Sequence, residues 1–94
     1  MAEPAFTQAF LRRFIEVERI ASATELELLD RTLARIVEDP YLPERFPAFY
    51  DPQHPTFLAR SDPFLIEFAV DEAADRITFV SLFYRRYQFQ IDSR

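Results

Sequence analysis

From Thr7 onward, apolar residues recur at Phe10, Phe14, Val17 and Ala21, a 4-3-4 spacing that gathers them on one face of a helix. Thr7 is suited to cap that helix, because a side-chain oxygen there accepts from an unpaired N–H of the first turn. Arg12, Glu16 and Arg19 run down another side, with opposite charges at i,i+4 and i,i+3. The segment "SATE" then supplies two overlapping capping-box patterns, Ser22 with Glu25 and Thr24 with Glu27, and predicts a second helix. Its apolar face is Leu26, Leu29, Leu33, Ile36 and Val37. Pro40 ends it, since the residue before a proline avoids the helical region. Two amphipathic helices with a short break between them read as an αα-hairpin.

The pattern then changes. "PYLPERFPAFYDPQHP" holds five of the seven prolines and predicts a stiff, mostly irregular crossing, tacked to the core by Tyr41, Phe46, Phe49 and Tyr50. Beyond it the period drops to two. "TFLARS" is a short candidate strand, and "PFLIEFAV" and "RITFVSLFY" flank the acidic loop "DEAADR". Pairing Asp71 with Arg76 closes a four-residue hairpin loop. That register puts Phe64, Ile66, Phe68 and Val70 on one face with Ile77, Phe79 and Phe83, a surface that should receive both helices. Leu65, Glu67, Ala69, Thr78, Val80, Leu82 and Tyr84 then form the opposite, mixed face. "YQFQID" alternates again and suggests a last strand. The expected fold is α+β: an N-terminal αα-hairpin packed on a three- to four-stranded antiparallel sheet, one domain over residues 1–94.

Composition narrows the chemistry. The chain of 94 residues has no cysteine and no glycine, which removes thiolate ligands, disulfides and Gly-rich phosphate loops. Its net charge is −5 and all eleven basic residues are Arg, a balance that slows approach to nucleic acid without forbidding a local basic patch. No apolar run reaches the ~18–20 residues of a membrane span. "MAEPAFTQAF" lacks the basic-then-apolar order of a secretory signal, so no membrane association and a cytoplasmic location are expected. The single His54, in the Pro-rich crossing, cannot assemble a zinc site without other His or Cys ligands. No cofactor and no metal are implied.

The stretch Leu58 to Arg86, "LARSDPFLIEFAVDEAADRITFVSLFYRR", resembles the RelE/ParE superfamily of bacterial type II toxins. In that family an Arg precedes a tight turn, an aromatic strand ends in "V-D-E", and a second strand ends in a basic cluster. The family's usual N-terminal strand is not evident here. The resemblance implies a toxin neutralised by a cognate antitoxin. In RelE-type nucleases, which cut mRNA on the ribosome, basic residues stand at positions matching Thr56, Leu58 and Leu65, none of which neutralises a phosphate. YoeB-like relatives end in "R-Y-H-Y", whereas "RYQF" here keeps Arg86 and Tyr87 but has Gln88 and Phe89. Gln exchanges no proton near neutral pH, and Phe has no hydroxyl. The likeness therefore leans to the ParE-like branch, which binds DNA gyrase and has no nuclease site.

The candidate contact residues are Arg60, Tyr84, Arg85, Arg86 and Tyr87, because Arg and Tyr are enriched in interface hot spots. The plainer alternative is a strand end whose Arg side chains pair with nearby acids, worth about 0–1 kcal/mol each. Catalysis would need Arg60, Arg85 and Tyr87 on a ribosome-bound RNA. Glu67 reads as a solvated or Arg-paired carboxylate. Some of the eleven Phe exceed the needs of a small core and would suit a homodimer surface or a groove for an antitoxin helix.

Overall fold

The structure is a computed structural model and describes residues 2–42, 46–48 and 55–85. In chain order the elements are β1 (Glu3–Phe6), α1 (Gln8–Ile20), α2 (Ala23–Glu38), β2 (Phe46–Ala48), β3 (Thr56–Ser61), β4 (Phe64–Asp71) and β5 (Arg76–Tyr84). The strands form one sheet in the order β1-β5-β4-β3-β2. The α+β class and the helix hairpin on a sheet are as the sequence predicts. The sheet is wider than expected, because two short edge strands, β1 and β2, extend the central antiparallel meander.

Thr7 caps α1: its Oγ1 accepts from Phe10 N–H at 3.1 Å. Of the two capping boxes available to α2, the chain uses Ser22 with Glu25. Ser22 Oγ accepts from Glu25 N–H at 3.1 Å, and Glu25 Oε1 accepts from Ser22 N–H at 3.0 Å. The helix ends at Glu38, ahead of Pro40. Phe10, Val17, Leu29 and Ile36 are buried against the sheet, with Phe14, Ala21, Leu26, Leu33 and Val37 packed around them. On the outer side of α1 the ion pair is Arg13 with Glu16, at 3.2 Å.

The expectation of no N-terminal strand is corrected. β1 runs parallel to β5, with Glu3 opposite Arg76 and Phe6 opposite Phe79. Glu3 N–H donates to Asp75 C=O and Thr7 N–H to Phe79 C=O. Donors therefore fall on odd-numbered residues, and Pro4, which has no N–H, falls on the outward side of the edge where none is needed. β2 likewise tolerates Pro47 at the opposite edge, paired with Phe57, so the crossing includes one short regular strand. Tyr41 does not tack the crossing by burial. It is exposed, and its hydroxyl bonds Glu72 in the β4–β5 turn, while neighbouring Leu42 is the buried residue. Phe49, Tyr50 and the strand expected over "YQFQID" lie outside the described residues.

The β4–β5 turn closes as predicted, with Asp71 opposite Arg76. Asp71 Oδ1 accepts from Ala74 N–H at 3.1 Å. Asp75, at φ 51, takes the left-handed position. Asp visits that region more readily than most residues, and this chain has no Gly to place there.

Beyond Phe79 the uninterrupted register fails. Phe68 faces Phe79 but Glu67 faces Ser81, so Val80 is an extra residue in β5, a β-bulge. From there every β5 side chain changes face. Leu82 and Tyr84 are buried on the helix side, and Phe83, expected in the core, is half-buried on the other face. Tyr84 stacks on Phe64 with ring centroids 5.3 Å apart. Its hydroxyl donates to Glu25 Oε1 at 2.9 Å, reaching the capping box of α2. Thr7 holds the bulge from the other side, since its Oγ1 donates to Val80 C=O at 2.7 Å. Phe79, just before the bulge, packs between Phe6 and Phe10 at centroid distances of 5.3 and 5.7 Å.

Two outcomes follow for stability. Thr7→Ala removes both the helix cap and the bulge tether and should cost about 1–2 kcal/mol in urea unfolding, while Thr7→Ser stays near the parent value. Tyr84→Phe keeps the ring stack but loses the bond to Glu25; the expected cost is about 0.5–1.5 kcal/mol with an unchanged aromatic circular-dichroism spectrum.

Candidate functional site

The sheet face turned away from the helices carries the site. Cross-strand pairing puts Arg60 of β3 opposite Leu65 of β4, and Leu65 opposite Phe83 of β5. Three strands thus contribute one row: a guanidinium, an aliphatic side chain and an aromatic ring. Arg85, the first residue beyond β5, lines the same cleft as Arg60, Leu65 and Phe83. That placement depends on the bulge, without which Arg85 would point towards the helices.

These side chains line an open cleft of about 370 Å³, closed at one end by the Asp62–Pro63 turn between β3 and β4. The Asp62–Pro63 peptide bond is cis. Arg85 N–H donates to Pro63 C=O at 2.8 Å, which ties the end of β5 to the turn. Its Nη1 lies 3.5 Å from Asp62 Oδ1, with both side chains more than half exposed. An exposed pair at that distance contributes little to stability. It leaves most of the Arg85 donors available to another acceptor. No described residue forms an ion pair with Arg60.

One step further along the same face the character changes. Glu67 is only 4% exposed, so it is not the solvated carboxylate that the sequence allowed. It accepts a bond from Thr56 Oγ1 at 2.7 Å, diagonally across β3 and β4. Leu58 sits opposite Glu67. Thr56, Leu58 and Leu65, the positions that match basic residues in the RelE-type nucleases, therefore all lie on this face with Arg60. In this chain they surround a buried carboxylate.

Arg60, Leu65, Phe83 and Arg85 come together, but Tyr84 does not join them. Its side chain, 2% exposed, belongs to the core and is not an accessible contact residue. Arg86 and Tyr87 lie outside the described residues. Phe83 and Leu65 were missed as site residues because an uninterrupted strand puts Phe83 in the core. The signal available was Ser81, a polar residue that such a strand would bury between Phe79 and Phe83.

A second apolar surface lies elsewhere. Phe6 on β1 and Leu11, Ile15 and Ile20 on α1 are each more than two-fifths exposed. Phe6 is the exposed one among the described Phe side chains, so the surplus apolar surface is mainly aliphatic and helical. No group of three or more metal-ligating side chains stands together among the described residues. No described helix is long and apolar enough to cross a membrane.

No family model and no curated protein matches this sequence. Solved structures do match. The isolated E. coli RelE toxin aligns over 99% of this chain and 98% of its own, with a TM-score of 0.58 at 14% identity. A chain of the intact E. coli RelBE toxin–antitoxin complex aligns over 89% of this chain and 96% of its own, with a TM-score of 0.57 at 15% identity. Two helices on a mixed sheet, with a parallel N-terminal edge strand and an Arg-bearing meander, give this chain a fold similar to that of RelE.

Proposed function

We propose that this chain is the toxin component of a bacterial type II toxin–antitoxin pair, neutralised by a cognate antitoxin and acting by binding its target. Two observations support the toxin reading. The fold is that of RelE over nearly the whole chain, and one of the matching structures is a complex of toxin with antitoxin. The exposed Phe6, Leu11 and Ile15 offer apolar surface of the kind an antitoxin helix covers.

The observation that carries binding over cleavage is the make-up of the outer sheet face. Phosphodiester cleavage needs charge stabilisation around the phosphate and a group that moves a proton. Here the cleft supplies Arg60 and Arg85, one of them opposed by Asp62. The adjoining positions are Thr56, Leu58 and Leu65 around the buried Glu67, and none of the three neutralises a phosphate. Such a face recognises a partner better than it holds an RNA backbone. By the family resemblance the ParE-like branch fits, with DNA gyrase as target. The contact residues on this reading are Arg60 and Arg85, with Arg86 and Tyr87 beyond them. A second reading, a ribosome-dependent mRNA endonuclease using Arg60, Arg85 and Tyr87, draws its support from the RelE identity of the structural neighbours.

Expression in a bacterial host should arrest growth, and co-expression of the adjacent small gene product should restore it. Arg60→Ala with Arg85→Ala should relieve arrest, each substitution weakening target binding by about tenfold or more. Messenger RNA from arrested cells should be uncut within codons. Codon-positioned cuts would replace this reading with the endonuclease, and harmless expression with no binding neighbour would leave an interaction module without toxicity.

A further inference from the structure

We infer that the Arg60–Arg85 cleft is a receptor for a single carboxylate, presented by a Glu or Asp side chain of a partner polypeptide with an apolar residue beside it. This rests on the reading above that the outer face binds a partner, and it specifies the chemistry of that contact.

Charge sets the first limit. Arg60 and Arg85 contribute two positive charges to the cleft, and Asp62 removes one of them. The remaining single charge matches one carboxylate. Guanidinium forks pair with carboxylates through two parallel N–H donors, a geometry that Asp62 at 3.5 Å does not exhaust.

The floor sets the second limit. Leu65 and Phe83 are cross-strand partners, both half-buried, and lie between the two arginines on the same face. An apolar group resting there would remove the remaining exposed surface of both from water. A bare inorganic anion uses the charge and leaves that floor wet. A carboxylate on an apolar neighbour uses both.

Glu67 sets the third limit. A chain of phosphates entering the cleft must continue along the face, and the next outward position on β4 is the carboxylate of Glu67, buried beside Leu58, which offers a phosphate no donor. Net charge −5 opposes a polyanion at longer range as well. The Arg85 backbone is fixed by the Pro63 carbonyl, so one arm of the receptor is positioned before the ligand arrives.

The test is an NMR titration of the full chain with three probes: the peptide acetyl-Phe-Glu-Phe-amide, its Gln-for-Glu twin, and hexauridylate. The Glu peptide should shift the Arg60 and Arg85 Nε–H signals and the Leu65 and Phe83 amides. The Gln twin should bind about tenfold more weakly, as expected on losing a charge-assisted contact. Hexauridylate should bind more weakly than the Glu peptide. Arg60→Ala and Arg85→Ala should each reduce Glu-peptide affinity several-fold, with amide signals remote from the cleft unchanged. Equal binding of the two peptides, shifts away from the cleft, no binding of either peptide, or tighter binding of hexauridylate at the same residues would each overturn the assignment. Growth arrest rescued by the neighbouring gene, without peptide binding, removes this inference alone. Peptide binding in the cleft by a chain that causes no arrest removes the toxin reading alone.

Discussion

Thr7 donates its hydroxyl to the Val80 carbonyl at the point where β5 carries one residue more than β4, and the same threonine ends β1 and caps α1. Three structural decisions meet on that residue. Its N–H closes the β1–β5 pairing, its oxygen accepts from the first turn of the helix, and its proton steadies the bulge. The bulge then decides which half of β5 faces the core. With it, Leu82 and Tyr84 are buried and Arg85 is presented outward. Without it, Ser81, Phe83 and Arg85 would face the helices. Burying a guanidinium without a partner costs several kcal/mol, and exposing Leu82 forfeits about 2 kcal/mol more. The shifted register is therefore enforced from the core outward.

The same shift separates aromatic residues by role. Tyr84 becomes a bolt between β5 and α2, stacked on Phe64 and bonded to Glu25, which also completes the helix cap. Phe83 moves to the outer face and becomes the floor between two arginines. A basic-aromatic strand end is thereby divided into a buried structural half and a half that lines the outer cleft. Among the described residues the outer face combines two arginines, an apolar floor and a buried carboxylate. Those properties favour selective contact with one charged group over the charge-dense environment that RNA cleavage demands.

Local signals in the sequence were read correctly because their partners lie within a few residues. The Ser22–Glu25 box, the Thr7 cap, the stop before Pro40 and the Asp71–Arg76 turn are of this kind. The misread features depend on distant partners. "EPAF" is four residues long and contains Pro4, so it carries no strand pattern, and only the free edge of β5 makes it a strand. "SLFY" offers apolar residues at both parities, so alternation alone cannot choose between Phe83 and Tyr84 for the core. The burial of Glu67 was not legible because Thr56, which donates to it, sits diagonally across a neighbouring strand. Of the expected contact residues, Arg60 and Arg85 line one cleft, whereas its apolar floor, Leu65 and Phe83, was hidden by the bulge.

The account stands on the register beyond Phe79, and interstrand nuclear Overhauser effects measure it directly. A bulge at Val80 predicts cross-strand contacts between Phe64 and Tyr84 and between Leu65 and Phe83, together with ring contacts from Tyr84 to Phe64. An uninterrupted strand would instead pair Phe64 with Phe83 and place the Phe83 ring among the helix-facing side chains. Observation of the Phe64–Phe83 pairing would contradict the placement of Arg85 in the cleft, and with it the binding site described above.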